Sequence, residues 1–163
     1  MSKSSQLQIR VSPADKKRIR ARAAGAGMDV SKWVLQQLLP PVEERFQRLC
    51  RDLEAASDKR KYVSAEMNDF LSQLSAREFI RAVRYPPSIV LPAFEANYLA
   101  AMVEQAAAVN GIAPPDWTGR VKPLEQPWFA SSIKNLRLHL LTASPPPFRR
   151  RNLLVDSTIG DRV

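Results

Sequence analysis

One short stretch near the start of the chain constrains the fold more than any other feature. Residues 6–11, with the sequence QLQIRV, alternate polar and apolar side chains, which is the period of a β-strand. A lone strand of this length can neither satisfy its backbone hydrogen bonds nor bury its apolar face. Two copies paired antiparallel would do both, so we predict an intertwined homodimer. The residues expected in its shared core are Leu7, Ile9, Val11, Ile19, Trp33 and Val34.

Two short helices are predicted to follow this strand. Ser12 and Pro13 provide an N-cap and a favourable first residue for a helix that continues to about residue 26. Two glycines near its end tolerate the left-handed conformation that closes a helix. Asp29 is the candidate N-cap of the second helix, which Pro40 and Pro41 end because the residue before a proline avoids helical geometry.

Basic side chains concentrate in the same segment. The chain carries a net charge of +9, and residues 1–40 hold eight Lys and Arg against two Asp and Glu, a net +6. Residues 41–100 hold nine of each, and residues 101–163 hold eight against five, a net +3. A basic surface of this kind favours polyanions, and nucleic acid before membrane. We therefore expect the N-terminal segment to bind DNA.

The order of these elements resembles the ribbon-helix-helix (CopG/Arc-like) DNA-binding family. The resemblance covers about residues 4–39 and is carried by residues 6–11, by Ser12-Pro13 and by residues 27–34, GMDVSKWV. It implies that the paired strands enter the major groove of operator DNA and that the start of the second helix contacts a phosphate. The expected base contacts are Gln6, Gln8 and Arg10. The expected phosphate contacts are Lys3, Lys17, Asp29, Val30, Ser31 and Lys32.

The rest of the chain is predicted to be mostly helical, so the fold class is mainly α. We expect a helix over about residues 41–56, whose apolar face is formed by Val42, Phe46, Leu49 and Leu53, and a polar break at residues 57–61. Further helices should begin near Ser64, Ser75, Pro92 and Ser132, and Ser75 and Glu78 match a capping box. A short strand is predicted over residues 152–156. The predicted organisation is a DNA-binding and dimerisation domain at 1–40, a connecting helix and linker at 41–61, and a helical partner-binding domain at 62–163.

The C-terminal part suggests a second binding role. Residues Trp128–Ser131 and Ser144–Asn152 resemble uncharacterised helical proteins of bacterial toxin–antitoxin-type operons, some beside nucleotidyltransferase-like toxins. Many ribbon-helix-helix proteins are antitoxins, so the two resemblances together imply a repressor that also neutralises a cognate toxin protein. The residues assigned to toxin binding are Trp128, Phe129, Phe148, Arg149, Arg150 and Arg151.

An alternative interpretation stays open for this part. Antitoxin tails are usually short and disordered before they bind, whereas this one contains capped helices and aromatic residues. It equally fits a stand-alone regulator or a plasmid accessory protein, whose C-terminal domain serves oligomerisation or ligand binding. Dimers of such a protein could assemble into higher oligomers on DNA. The aromatic residues would then pin irregular segments to their own core, and the arginines would form a solvated basic turn.

Catalysis and metal binding have little support in the sequence. His139 is the single histidine and Cys50 the single cysteine, so one chain offers neither a zinc site nor a disulfide. No glycine loop for phosphates and no nucleophile motif occurs. We expect a non-enzyme with no catalytic residues, no metal and no cofactor. The first residues lack a secretory signal and no run of about 18 apolar residues exists, so we expect a cytoplasmic protein without a membrane partner.

Overall fold

The computed structural model describes residues 8–38, 41–56 and 59–156. These residues are mainly helical, as predicted. The chain divides into two compact units, Met1–Pro41 and Val42–Val163. Within the described ranges, no helix combines the length and the apolar character that a membrane span requires.

The first unit contains two helices, α1 (Pro13–Gly25) and α2 (Val30–Leu38). Ser12 caps α1 as predicted, since its hydroxyl accepts a hydrogen bond from the backbone N–H of Asp15 at 3.1 Å. Gly27 has a φ of +65° in the turn between the helices, and the next N–H, of Met28, bonds the Ala23 carbonyl at 3.0 Å. This left-handed glycine turn folds α2 back against α1.

The second unit is built from seven helices and one pair of very short strands among the described residues. Its helices are α3 (Val42–Ala55), α4 (Arg60–Gln73), α5 (Ala76–Ala82), α6 (Ala93–Val109), α7 (Asp116–Gly119), α8 (Lys134–Ala143) and α9 (Pro146–Arg149). The strands β1 (Trp128–Phe129) and β2 (Leu153–Leu154) are parallel, with Trp128 opposite Leu153. The strand predicted over residues 152–156 is therefore present but two residues long.

Helix α6 occupies the centre of this unit. Its seventeen residues are apolar or small on almost every side, the pattern of a helix that is buried all round. It packs against α4, α7 and α9, and Leu99 and Val103 are completely buried in the core. The remaining elements are arranged around this helix.

Helix α3 belongs to the second unit rather than to a connecting segment. The sequence placed residues 41–61 between two domains, but α3 packs against α4 and α5. Its apolar side buries Phe46, Leu49, Cys50 and Leu53 in the core that α6 also enters. The spacing of these residues correctly predicts the buried face of α3. Spacing alone does not indicate which elements pack against that face. The boundary between the units lies at Pro41, before α3.

Local capping explains where α5 begins but not where α4 begins. The capping box predicted at Ser75 and Glu78 opens α5, with both reciprocal hydrogen bonds present. In contrast, α4 begins at Arg60, four residues before the predicted cap at Ser64. The Arg60 guanidinium pairs with the buried Glu95 carboxylate at 2.7 Å and lies over the Phe94 ring. These contacts with α6 hold the extra turn in helical form.

Candidate nucleic-acid interface

The segment that should read DNA precedes α1. Residues 8–12 are exposed and form no regular element in the single chain. A strand needs a hydrogen-bonded partner, which the predicted ribbon takes from a second copy. Gln8 and Arg10 are accessible, as a base-reading role requires. Lys3, Gln6 and Leu7 lie outside the described residues, so the intermolecular ribbon stays a prediction.

The described part of the first unit, residues 8–38 and 41, has almost no core of its own. Ala23 is the only buried side chain among its described residues. Ile9 and Val11 are 56% and 45% exposed, and three more large apolar side chains of the unit, Val30, Leu35 and Leu38, are also exposed. The other predicted dimer-core residues, Ile19, Trp33 and Val34, are partly buried. Complete burial of one such aliphatic side chain contributes about 1.5–3 kcal/mol of stability. Contact with a second protein surface that covers these side chains would therefore be strongly favourable.

The surface of α1 is strongly basic. Five cationic side chains on this helix are exposed: Lys16, Lys17, Arg18, Arg20 and Arg22. Among the described residues, only Arg18 of these has an ion pair, with Asp15 at 3.5 Å on the surface. The site assignment from sequence took only Lys17 from this helix. The other four side chains are also accessible to phosphates. The run of basic residues in the sequence of α1 is the feature that could have identified them.

The start of α2 differs from a free phosphate-binding terminus. The Asp29 carboxylate accepts hydrogen bonds from the backbone N–H groups of Ser31, at 2.7 Å, and Lys32, at 3.4 Å. The donors that the sequence offered to a DNA phosphate are thus already used by a negatively charged cap. Asp29 itself is an intrachain cap in this structure, and its assignment as a phosphate contact stays a prediction. The Lys32 side chain remains exposed and can still approach a phosphate.

Two residues assigned to toxin binding are inaccessible. Phe148 is 1% exposed and packs edge-on against Tyr98, at 5.5 Å between ring centres. Arg151 is 5% exposed, and its guanidinium donates to the buried Glu104 carboxylate and to the Thr118 carbonyl at 2.7 Å. Both side chains hold the C-terminal segment to α6 and α7. Phe148 and Arg151 are therefore core residues and not the partner contacts that the sequence suggested, because their burial leaves no surface for a partner.

The other four residues of that set are at least partly accessible. Trp128 packs edge-on against Phe94 at 4.9 Å, and Phe129 lies partly buried below the Arg137 guanidinium. These two aromatic residues attach an irregular segment to the rest of the unit. This packing agrees with the alternative interpretation, in which the aromatic residues contact their own domain and not a partner. Arg149 is exposed, and Arg150 reaches Glu104 at 3.3 Å. The structure therefore does not bring the six residues together as one surface.

Comparison with known proteins is informative for the N-terminal part. Residues 1–58 match the model of the NikA-like family, described as mobilization protein NikA. No curated protein and no solved structure is significantly similar to the chain. The match covers the first unit and extends through α3. It therefore includes the segment of about residues 4–39 that resembles ribbon-helix-helix proteins, and it supports the DNA-binding interpretation of that segment. It lends no support to an antitoxin or to a toxin partner.

Proposed function

We propose that this protein is a homodimeric ribbon-helix-helix DNA-binding protein that acts in plasmid mobilization. The observation that carries the proposal is the first unit, whose described residues form a basic surface and almost no core. This unit lies in the segment that the mobilization-protein family matches. Of the two interpretations left open by the sequence, the match favours the plasmid accessory protein. We also propose that the protein acts by binding and has no catalytic activity of its own.

Dimerisation is the first step of the proposal. Ile9 and Val11 stand on the apolar side of the predicted strand, and both are exposed in one chain. Antiparallel pairing with a second copy would cover them and would satisfy the backbone of residues 8–11 at the same time. The polar side, with Gln8 and Arg10, would then form the outer face of a two-stranded ribbon. Such a ribbon fits the major groove of B-DNA.

DNA recognition is the second step. Arginine pairs bidentately with guanine and glutamine with adenine, so Arg10 and Gln8 would specify the sequence. The exposed lysines and arginines of α1 would contact the backbone and supply affinity without specificity. Because the dimer is two-fold symmetric, the preferred site should consist of two related half-sites.

Sedimentation tests the dimer. Ile9→Asp should convert the protein to a monomer at micromolar concentration, because the substitution buries a carboxylate in the shared core. Gln8→Asp is the matched control, since it introduces the same charge one residue away on the outer face and should leave the dimer intact. A monomeric wild-type protein, or an Ile9→Asp variant that remains dimeric, would refute the ribbon.

Selection from random duplex DNA followed by gel shift tests the recognition. Arg10→Ala should weaken binding to the selected site by about 5- to 150-fold, the equivalent of about 1–3 kcal/mol, and relax its sequence preference. Lys17→Ala should weaken binding to all sequences alike and lower the salt slope by about one for each subunit. If Arg10→Ala leaves the affinity for the selected site unchanged, the strand does not read bases.

The biological role needs a separate experiment. Loss of the protein should reduce transfer of a mobilizable plasmid that carries its selected DNA site, and the wild-type gene but not Arg10→Ala should restore transfer. Unchanged transfer together with altered transcription from the same site would favour the stand-alone repressor. Rescue of growth from a toxic neighbouring gene product would favour the antitoxin interpretation, which stays a prediction.

A further inference from the structure

The second unit carries a groove beside Trp117, with a lining that is mixed polar and apolar near Arg84 and mainly apolar near Pro87 and Leu91. Two adjoining cavities of about 420 and 280 Å³ share three lining residues, Pro86, Trp117 and Arg120. Core residues close the floor, with Phe79 on one side of Trp117 and Leu99 on the other. Volumes of this order are typical of sites that hold small ligands or side chains of a bound peptide.

The walls of this groove are held in place by hydrogen bonds. The Gln47 side chain donates to the Pro86 carbonyl at 3.0 Å and accepts from the Ser88 backbone N–H at 2.7 Å, so it clamps both sides of a double-proline loop. The Trp117 indole N–H donates to the Val83 carbonyl at 2.8 Å, which fixes the orientation of the ring. A preformed groove costs little ordering free energy when a partner binds.

Charge and exposure at the rim indicate the chemistry of a partner. Arg84 and Arg120 line the groove and are exposed, and in the described part of the chain neither has an ion pair. One carboxylate, Asp116, opposes them. Ile80 and Ile89 continue the apolar lining, Ile80 being largely exposed. Apolar surface rimmed by charged groups is characteristic of protein–protein contacts.

We propose that this groove binds an extended peptide segment of a partner protein, with an apolar side chain against Trp117 and acidic side chains paired with Arg84 and Arg120. Guanidinium groups bind carboxylates bidentately, which fits two exposed arginines without an ion pair in the described chain; Arg84 also lies over the Tyr85 ring, at 5.4 Å from its centre. Nucleic acid fits less well, because the floor is apolar and only two cations border it. A second copy fits less well, since it would bring the same cationic rims together. The inference is independent of the proposed DNA binding.

Peptide selection on the whole 163-residue chain is the first test. Random twelve-residue peptides displayed on phage are selected, and the resulting sequences are synthesised with fluorescein for anisotropy measurements. We expect Asp or Glu within a few positions of a Leu, Ile, Phe or Trp. The double variant Arg84→Glu/Arg120→Glu should bind these peptides at least tenfold more weakly. Arg77→Glu, an exposed arginine of α5 outside the lining, should change the affinity less than twofold.

Two further measurements make the proposal specific. Peptides with their acidic residues replaced by Lys should bind the double variant more tightly than the wild-type protein. A bromoacetyl group on a selected peptide should cross-link to Ala113→Cys in the lining but not to Arg77→Cys, and the buried Cys50 should not compete. Circular dichroism of every variant should match the wild type, because the changed positions are exposed.

Several outcomes would overturn the proposal. These are selected peptides without acidic residues, affinities unaffected by the double variant, and absence of the Ala113→Cys cross-link. Loss of affinity for a random duplex DNA probe in the double variant, with no peptide selected, would assign the arginines to DNA instead. A change of oligomeric state in the double variant would assign the groove to a second copy. None of these results depends on whether residues 8–12 form a DNA-reading ribbon.

Discussion

Arg151 offers the sharpest test of how the second unit is held together. Its guanidinium donates to the Glu104 carboxylate on α6 and to the carbonyls of Thr118, at 2.7 Å, and Val121, at 3.2 Å. These contacts join the C-terminal segment to two other parts of the fold. We expect Arg151→Met to destabilise the unit strongly, because it removes the positive charge and leaves Glu104 buried.

The magnitude follows from the partners that remain. Removal of one member of a buried ion pair costs about 3–5 kcal/mol. Arg150 stays within 3.3 Å of Glu104, but 69% of its side chain is exposed, so it compensates only in part. We therefore expect about 3 kcal/mol. A unit of about 120 residues has an unfolding entropy near 0.25 kcal/mol/K, so the melting temperature should fall by about 12 °C.

Thermal and urea unfolding followed by circular dichroism measure this loss. Arg149→Met is the matched control, since Arg149 is exposed two residues away and should cost less than about 0.5 kcal/mol. The double variant Glu104→Leu/Arg151→Met should recover much of the stability, because no unpaired charge remains buried. Equal losses of unfolding free energy in Arg151→Met and Arg149→Met would refute the reasoning. It would also be refuted if the double variant lost more unfolding free energy than Glu104→Leu and Arg151→Met lose together.

Three further predictions concern caps and the buried thiol. Asp29→Asn keeps a capping side chain but removes a negative charge at the start of α2, so it should tighten DNA binding about two- to fivefold in gel shifts at low salt; weaker binding would contradict this. Hydrogen bonds from the Ser75 hydroxyl and backbone N–H lower the pKa of Glu78 below its ordinary 4.5. The stability lost in Glu78→Ala should therefore be full above about pH 4.5 and should disappear as the pH falls through the lowered pKa, measured by urea unfolding at a series of pH values; a loss independent of pH would contradict it. Burial raises the pKa of the Cys50 thiol to about 12, so Cys50 should react with Ellman's reagent only at the rate of unfolding; rapid reaction of the native protein would contradict its burial.

Sequence patterns determined the features that depend on near neighbours. The cap at Ser12, the capping box of Ser75 and Glu78, and the start of α6 after Pro92 were all predicted correctly. Each depends on hydrogen bonds or backbone restrictions within about four residues, so the local sequence contains all of the necessary information. The apolar side of α3 could be predicted for the same reason, because helical periodicity is local.

The N-terminal site could be predicted only in outline. Alternation and charge predict a strand that needs a partner and a basic helix. The helix is present, residues 8–12 form no regular element in one chain, and the family match supports the DNA-binding interpretation. The Asp29 carboxylate, however, occupies the N–H groups that the sequence assigned to a phosphate. Whether a cap residue satisfies its own helix or leaves donors free is decided by side-chain geometry.

Tertiary contacts alone decided which residues of the second half are accessible. Arg151 and Phe148 follow a proline run that looks like a solvated turn in sequence, yet both are buried. Arg151 is fixed by Glu104, 47 residues earlier in the chain, and the groove beside Trp117 joins residues about 35 positions apart. Burial is a property of the packed unit, because each side chain is covered by elements that are distant in sequence. Local chemistry therefore determined the elements of this protein, and only their packing determined which surfaces remain for a partner.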